Sequence, residues 1–277
     1  MRRLVFITGL VLLNVLVFSI PVSTDLTVSF LDVGQGDAVL ITSPTGSQML
    51  VDGGATRAVL RELGTSIPFF DRTLDVVVAT HPDKDHVGGL SEVLRRYDVE
   101  VFLESGVFHD TSATQAVQSV LQEKSTPTVT AMRGMRILLG GGAYADVLFP
   151  DRNVSGVESN TGSIFLQIVY GNTKVLLTGD APKSVERYVH ALDGSRLQST
   201  IFKVGHHGSK TSSDPQFVAS VDPDYSIISA GKDNRYGHPH KEVLEIFEKT
   251  DSRILGTGEN GTITFVSNGK TLRSSER

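Results

Sequence analysis

Apolar and polar positions alternate over residues 26–31, the spacing of a half-buried strand, and the chain then turns at Asp32-Val33-Gly34-Gln35-Gly36-Asp37. Residues 38–41 and 49–51 predict two more strands, separated by the turn Ser43-Pro44-Thr45-Gly46 and ended by Asp52-Gly53-Gly54. A helix follows over 56–63, closed by Gly64. The run Leu74-Asp75-Val76-Val77-Val78-Ala79 then reads as a buried strand. Gly88-Gly89 opens a helix to about 97, 99–103 is a short strand, and 111–123 has helical spacing. Residues 129–131, 136–139 and 145–149 predict antiparallel strands joined by glycine turns.

Beyond Pro150 a similar rhythm returns. Residues 163–170 and 174–177 form a hairpin about Gly171-Asn172, and a helix over 182–192 carries proline in its first turn. A strand at 200–204, a short helix at 215–220, a strand at 225–229 and a helix at 241–249 lead to closing strands at 253–255 and 262–266. Strand-rich blocks interleaved with helices predict an α+β protein, two sheets with helices outside.

The first residues follow another pattern. Arg2-Arg3 precede an apolar run over 4–20, the signature of an export signal or membrane anchor. The run sits at the short limit of the roughly 17–25 residues needed to span a bilayer. No small-residue cleavage site follows, which favours an uncleaved anchor over residues 1–24 and places the domain over 25–277 outside the cytoplasm, anchored or secreted.

Composition narrows the chemistry. The 277 residues are 39% hydrophobic and 21% charged, enough for a sizeable core. With a net charge of −5 and no basic tail, the chain has no broad footprint for nucleic acid, although a metal site can hold phosphates locally. It has no cysteine, so any metal ligand must be nitrogen or oxygen.

One stretch concentrates such ligands. After the strand ending at Ala79, four of the six residues of His81-Pro82-Asp83-Lys84-Asp85-His86 can bind a divalent metal. Imidazole with carboxylate is the ligand set of Zn, Mn or Fe. Asp180 and His206-His207 also follow apolar strands, and strand ends can converge on one sheet edge. By contrast, Asp52-Gly53-Gly54 reads as structural, and His109 and His190 read as surface residues.

These residues carry a resemblance. His81-x-Asp83-x-Asp85-His86 with Gly88-Gly89 resembles the His-x-His-x-Asp-His signature of the metallo-β-lactamase fold, and Thr178-Gly179-Asp180 resembles its bridging aspartate. More narrowly, Phe30-Leu31-Asp32-Val33-Gly34-Gln35-Gly36-Asp37-Ala38, Lys203-Val204-Gly205-His206-His207-Gly208-Ser209 and Asn234-Arg235-Tyr236-Gly237-His238-Pro239-His240 are similar to the extracellular hydrolase domain of the ComEC/Rec2 competence proteins. Those proteins also carry a polytopic channel and usually an OB-like domain, neither of which is written in these residues.

The resemblance implies a four-layer αββα fold, two mixed β-sheets flanked by helices, holding two divalent metal ions, Zn or Mn. His81 and Asp83 would hold one ion, Asp85 and His86 the other, with Asp180 bridging and His206 completing the second site. Asn160 stands about where many members have a further histidine. Together with Asp83 it makes the first site oxygen-rich, which favours Mn as much as Zn. A metal-bound hydroxide would be the nucleophile, oriented by Asp85, with His207, His238 or His240 hydrogen-bonding a phosphoryl oxygen or protonating the leaving group. Lys203, Ser209, Gln35 and Asp37 would border the substrate; for Lys203, and for the turn holding Gln35 and Asp37, a structural role is the alternative.

The expected function is a phosphodiesterase or DNA nuclease of DNA uptake, with a separate membrane channel protein as partner. The rivals are a hydrolase of small or cell-wall phosphoesters, and a non-catalytic accessory protein that binds DNA or a channel.

Overall fold

Runs of β-branched and aliphatic residues cut every few positions by glycine or aspartate are too short for helices and pair as strands. In the computed structural model, which describes residues 24–276, they build two sheets. Of the expected anchor or signal over residues 1–24, residues 1–23 lie outside the described residues. Among those that are described, no helix is long and apolar enough to cross a membrane.

Strands β1 (Leu26–Phe30), β2 (Val39–Thr42), β3 (Gln48–Val51), β4 (Thr73–Ala79), β5 (Asp98–Glu104) and β6 (Thr128–Thr130) lie in the first sheet. Strands β7 (Arg136–Gly140), β8 (Ala143–Phe149), β9 (Phe165–Tyr170), β10 (Thr173–Leu177), β11 (Ile201–Lys203), β12 (Tyr225–Ile228) and β13 (Arg253–Gly256) make the second. The chain then returns to the first with β14 (Ile263–Ser267) and β15 (Leu272–Glu276). The orders are β15-β14-β1-β2-β3-β4-β5-β6 and β13-β12-β11-β10-β9-β8-β7. Each sheet is mixed: β3 to β6 and β10 to β13 run parallel, and the remaining neighbours are antiparallel.

Strand periodicity explains the layers. Val39, Ile41, Met49, Val51 and Val78 face Ile168, Val175, Leu177 and Ile201 across the space between the sheets. Leu40, Leu50, Val77 and Ala79 point the other way, against helices α1 (Ala58–Ser66), α3 (Leu90–Arg96) and α4 (Ser112–Lys124). Leu176 and Phe202 meet α5 (Lys183–Asp193), α6 (Pro215–Val221) and α7 (Lys241–Phe247) on the far side. With apolar residues required on both faces, the central strands read as continuous hydrophobic runs. The result is the expected four-layer αββα arrangement.

Three expectations change. Residues 128–130 pair parallel with β5 in the first sheet, not antiparallel with their successor, because α4 carries the chain over the sheet before it re-enters. Gly64 does not close α1, which runs on to Ser66. The ligand-rich loop contains a single turn of helix, α2 (Lys84–Val87), and a second short helix, α8 (Thr257–Asn260), follows β13.

The parallel strands β4, β10, β11 and β12 deliver the segments that follow them to one edge, where open α/β sheets place their sites. The β1–β2 turn and the end of β3 join them there.

Candidate metal centre

Thr80 and His81 follow β4 directly, and α2 turns the chain so that His86 comes back against His81, with ring centroids 4.0 Å apart. Two backbone bonds fix that turn: Asp37 N–H donates to the Asp85 carbonyl (3.2 Å), and Gly53 N–H to that of His86 (2.7 Å). The approach at Gly36 requires glycine, since a Cβ there would sit 2.2 Å from the Asp85 carbonyl oxygen.

Asp52 organises both rings. His86 Nδ1 lies 2.8 Å from Asp52 Oδ2, and Thr80 donates its hydroxyl to the same oxygen at 2.7 Å and its N–H to Oδ1 at 2.8 Å. With its proton committed to Asp52, the Thr80 hydroxyl accepts from His81 Nδ1, 3.1 Å away. In their neutral forms both histidines therefore carry the proton on Nδ1 and turn Nε2 towards the cleft as the lone-pair atom.

His207 arrives from β11 with the same polarity. Its Nδ1 lies 2.9 Å from the Ser229 carbonyl and 3.1 Å from Asp37 Oδ1, both acceptors, which leaves Nε2 without a proton in the neutral ring. That atom is 3.3 Å from Asp85 Oδ2 and 3.5 Å from Asp180 Oδ2. Asp180, set after β10 by Gly179 in a left-handed conformation, also reaches His86 Nε2 at 3.2 Å and His81 Nε2 at 3.9 Å.

The Nε2 atoms of His81, His86 and His207 and Oδ1 of Asp180 are buried without a hydrogen-bond partner. Lone pairs that face one another across 3.2–3.5 Å repel unless a proton or a cation lies between them. A divalent cation fits this donor set. Asp37, His86, Asp180 and His207 bring ligand atoms within 4.8 Å of one another. Asp37 is the least free of the four, because its Oδ2 is held by the Lys203 ammonium at 2.6 Å. We place it behind His207 as a support.

The electrostatics of the metal-free protein agree. Burial would lower the His207 and His86 rings, but the carboxylates of Asp180, Asp37 and Asp52 outweigh it. They raise His207 to about 9 and His86 well above its ordinary value. His81, dominated by burial and the charge of His86, falls to about 3. Burial opposes ionisation of Asp180, yet the surrounding histidines hold it well below the carboxylate range. Protons occupy two of the three nitrogens where a cation would sit.

The remaining predicted residues are placed as follows. Asp83 lies at the lip, with Oδ2 3.9 Å from His81 Nε2 and Oδ1 3.5 Å from His109 Nδ1. Asn160, on the turn before β9, has a buried amide oxygen with no partner. Of the histidine pair, His207 is the ring facing Asp85 and Asp180. His206 is more open, bonded to Thr211 at 3.0 Å, with Nε2 3.5 Å from Asp180. Both rings thus bring Nε2 to 3.5 Å from Asp180 Oδ2, and His207 alone of the pair also reaches Asp85.

His238 sits over the centre, its ring 5.8 Å from that of His206 and 6.3 Å from that of His207, while burial and these neighbours lower it to about 4. His240 accepts the Lys210 N–H at Nδ1 (3.2 Å), its ring 4.9 Å from that of His238. Lys203 was expected at a phosphate or in a structural role; it is buried, its ammonium held by Asp37 and the Val204 carbonyl. Ser209 bonds Thr211 (2.9 Å), and Gln35 accepts from Gly231 N–H (3.3 Å), so both brace loops.

Sequence reasoning gave Asp52 a structural role and His109 a surface one, and did not foresee that Asp52 would orient two site histidines or that His109 would face Asp83 at the rim. Asp52 ends an apolar strand as Asp180 does, and that shared position was the available signal.

The chain matches the metallo-beta-lactamase superfamily over residues 31–232. ComE operon protein 3 of Bacillus subtilis is 31% identical over 268 residues, which cover 90% of this chain and 34% of the relative. Recombination protein 2 of Haemophilus influenzae is 31% identical over 242 residues, covering 85% of this chain and 28% of the relative. The chain thus spans about a third of the length of these relatives. Among solved structures, the metallo-beta-lactamase fold protein YhfI from Bacillus subtilis superposes with a TM-score of 0.56 at 13% identity, covering 90% of this chain and all of that one. Igni18, a metallo hydrolase from Ignicoccus hospitalis, gives 0.52 at 14% identity, covering 86% and 98%. At such identities the likeness is one of fold. The chain belongs to the metallo-β-lactamase superfamily, and its sequence is similar to one part of the competence proteins.

Proposed function

We propose that this chain is a phosphodiesterase that works with two divalent cations, Mn or Zn, and that its substrate is DNA handled outside the cytoplasm during uptake. The observation that carries the reading is the convergence on Asp180 of three buried Nε2 atoms that have no hydrogen-bond partner. The similarity to competence proteins supports the substrate.

His81, Asp83 and the Asn160 amide would hold one cation, and Asp85, His86 and His207 the other, with Asp180 between. Such ions supply a water nucleophile at neutral pH and neutralise charge on a phosphoryl group. Asp85, whose ionisation burial opposes and the histidines secure, lies at about 2 and stays a carboxylate able to orient that water. His238, neutral at pH 7, can hydrogen-bond a phosphoryl oxygen. His206, its ring 5.8 Å from that of His238 and its Nε2 3.5 Å from Asp180, would contact the same phosphoryl group. A net charge of −5 suits local capture of one phosphate better than a broad basic track for long duplex. Attachment through residues 1–24 and a separate channel protein as partner complete the proposal.

The test strips the purified chain of metal and assays single-stranded DNA, duplex DNA and bis-p-nitrophenyl phosphate with Mn or Zn restored. Metal-dependent cleavage of DNA is expected. Turnover of the small ester without DNA would make it a small-phosphoester hydrolase, and no turnover with no metal retained would make it an accessory binding protein.

A further inference from the structure

A second feature adjoins the centre. A cavity of about 440 Å³ opens between the ends of β4 and β5, helix α4 and the loop over residues 105–111. That size lies in the range of small-molecule pockets, roughly 300–1,000 Å³. His81 forms part of its wall, so whatever fills it touches the same side chain that faces Asp180.

Its lining is of two kinds. Ala79, Val87, Phe102 and Val117 make an apolar floor. Glu104 and Gln118 make a polar edge, joined by a 3.2 Å bond from the Gln118 amide to the Glu104 carboxylate. Phe108 stands at the rim, 77% exposed, an aromatic ring with no apolar cover. Its N–H is tied to the Ser155 carbonyl at 3.2 Å, which fixes the loop that presents it. An aromatic, apolar body with donors and acceptors along one edge matches this lining, and an alkyl chain would leave the Glu104–Gln118 edge unused.

We propose that the pocket takes a nucleobase, the one next to the phosphate held at the metal centre, so that the enzyme acts on unpaired nucleotides. Phe108 would stack on the base while Gln118 and Glu104 read its edge. A base inside a duplex cannot enter without leaving its stack. This rests on the phosphoester reading and names the substrate class for it.

The test needs no metal. Thymidine, 2-deoxyribose and hexanol are titrated into the metal-free full chain, with affinities read by saturation-transfer NMR. Thymidine should bind about tenfold more tightly than either, the low end of base–aromatic stacking. Phe108→Ala and Gln118→Leu should each remove much of that preference. Equal binding of thymidine and deoxyribose, tighter binding of hexanol, or a preference untouched by both substitutions would overturn the proposal. Hydrolysis of bis-p-nitrophenyl phosphate, measured separately, keeps the two readings apart. A chain that turns over the ester but ignores the base retains its phosphodiesterase role and loses the pocket, and the opposite outcome reverses this.

Discussion

Asp52 Oδ2 stands 2.8 Å from His86 Nδ1 and also receives the Thr80 hydroxyl that accepts from His81. One carboxylate thus sets the tautomer of two histidines that face the centre from different positions on the chain. Asp52→Ala should lower metal affinity by about 10–100-fold while leaving the fold intact. Competitive chelator titration measures this, and an unchanged affinity would contradict the relay.

His206 and His207 are adjacent yet differ in burial and in what they touch. Only His207 is fully buried with Nε2 on Asp85 and Asp180. His207→Ala should lose bound metal, measured by elemental analysis after gel filtration. His206→Ala should keep most of its metal and lose turnover. The reverse pattern would return the ligand role to His206.

These two cases mark how far the sequence is legible. Two sheets with helices outside follow from strand-rich blocks interleaved with helices, the four-layer order came from the family resemblance, and the clustering of His81, Asp83, Asp85, His86 and Asp180 follows from strand-end position. What stayed hidden depends on contacts between distant residues. For Lys203 the sequence leaves a phosphate-binding and a structural role both open until Asp37, from a turn far earlier in the chain, is seen beside it at 2.6 Å. Likewise, nothing in the pair His206-His207 says which ring points inwards. That is decided by left-handed backbone at both residues and by the Ser229 carbonyl on a neighbouring strand's end. Strand β15 was missed because its residues are mostly exposed and polar, so no alternation marks it.

Metal affinity should depend on pH with a definite sign. In the metal-free protein His207 holds its proton up to about pH 9, and a cation must displace it. Affinity therefore rises with pH by about tenfold per unit for each proton released, and the slope falls by one proton once His207 is neutral. Calorimetry in buffers of different ionisation heat counts the protons. Binding without proton release at pH 7 would refute the assignment.

Glu186, buried on α5, accepts the N–H groups of Ser213 (2.9 Å) and Asp214 (2.6 Å) and so braces the segment that follows the two histidines. Burial pushes its carboxyl from 4.5 up to about 7. An acid raised in the folded state contributes its full stability below the unfolded value and loses it as pH rises through the folded one. Relative to Glu186→Gln, the wild type should lose on the order of 3 kcal/mol between pH 4.5 and about 7. Urea midpoints of both proteins across that range measure the difference, and a constant offset would contradict the burial argument.

The most direct test is an anomalous difference map from crystals grown with Mn. The account predicts two peaks about 3.5–4 Å apart on either side of Asp180. One should be bound by Nε2 of His81, the other by Nε2 of His86 and of His207. A map with no peak among these residues, or with a peak bound through His206 and away from His207, would contradict it.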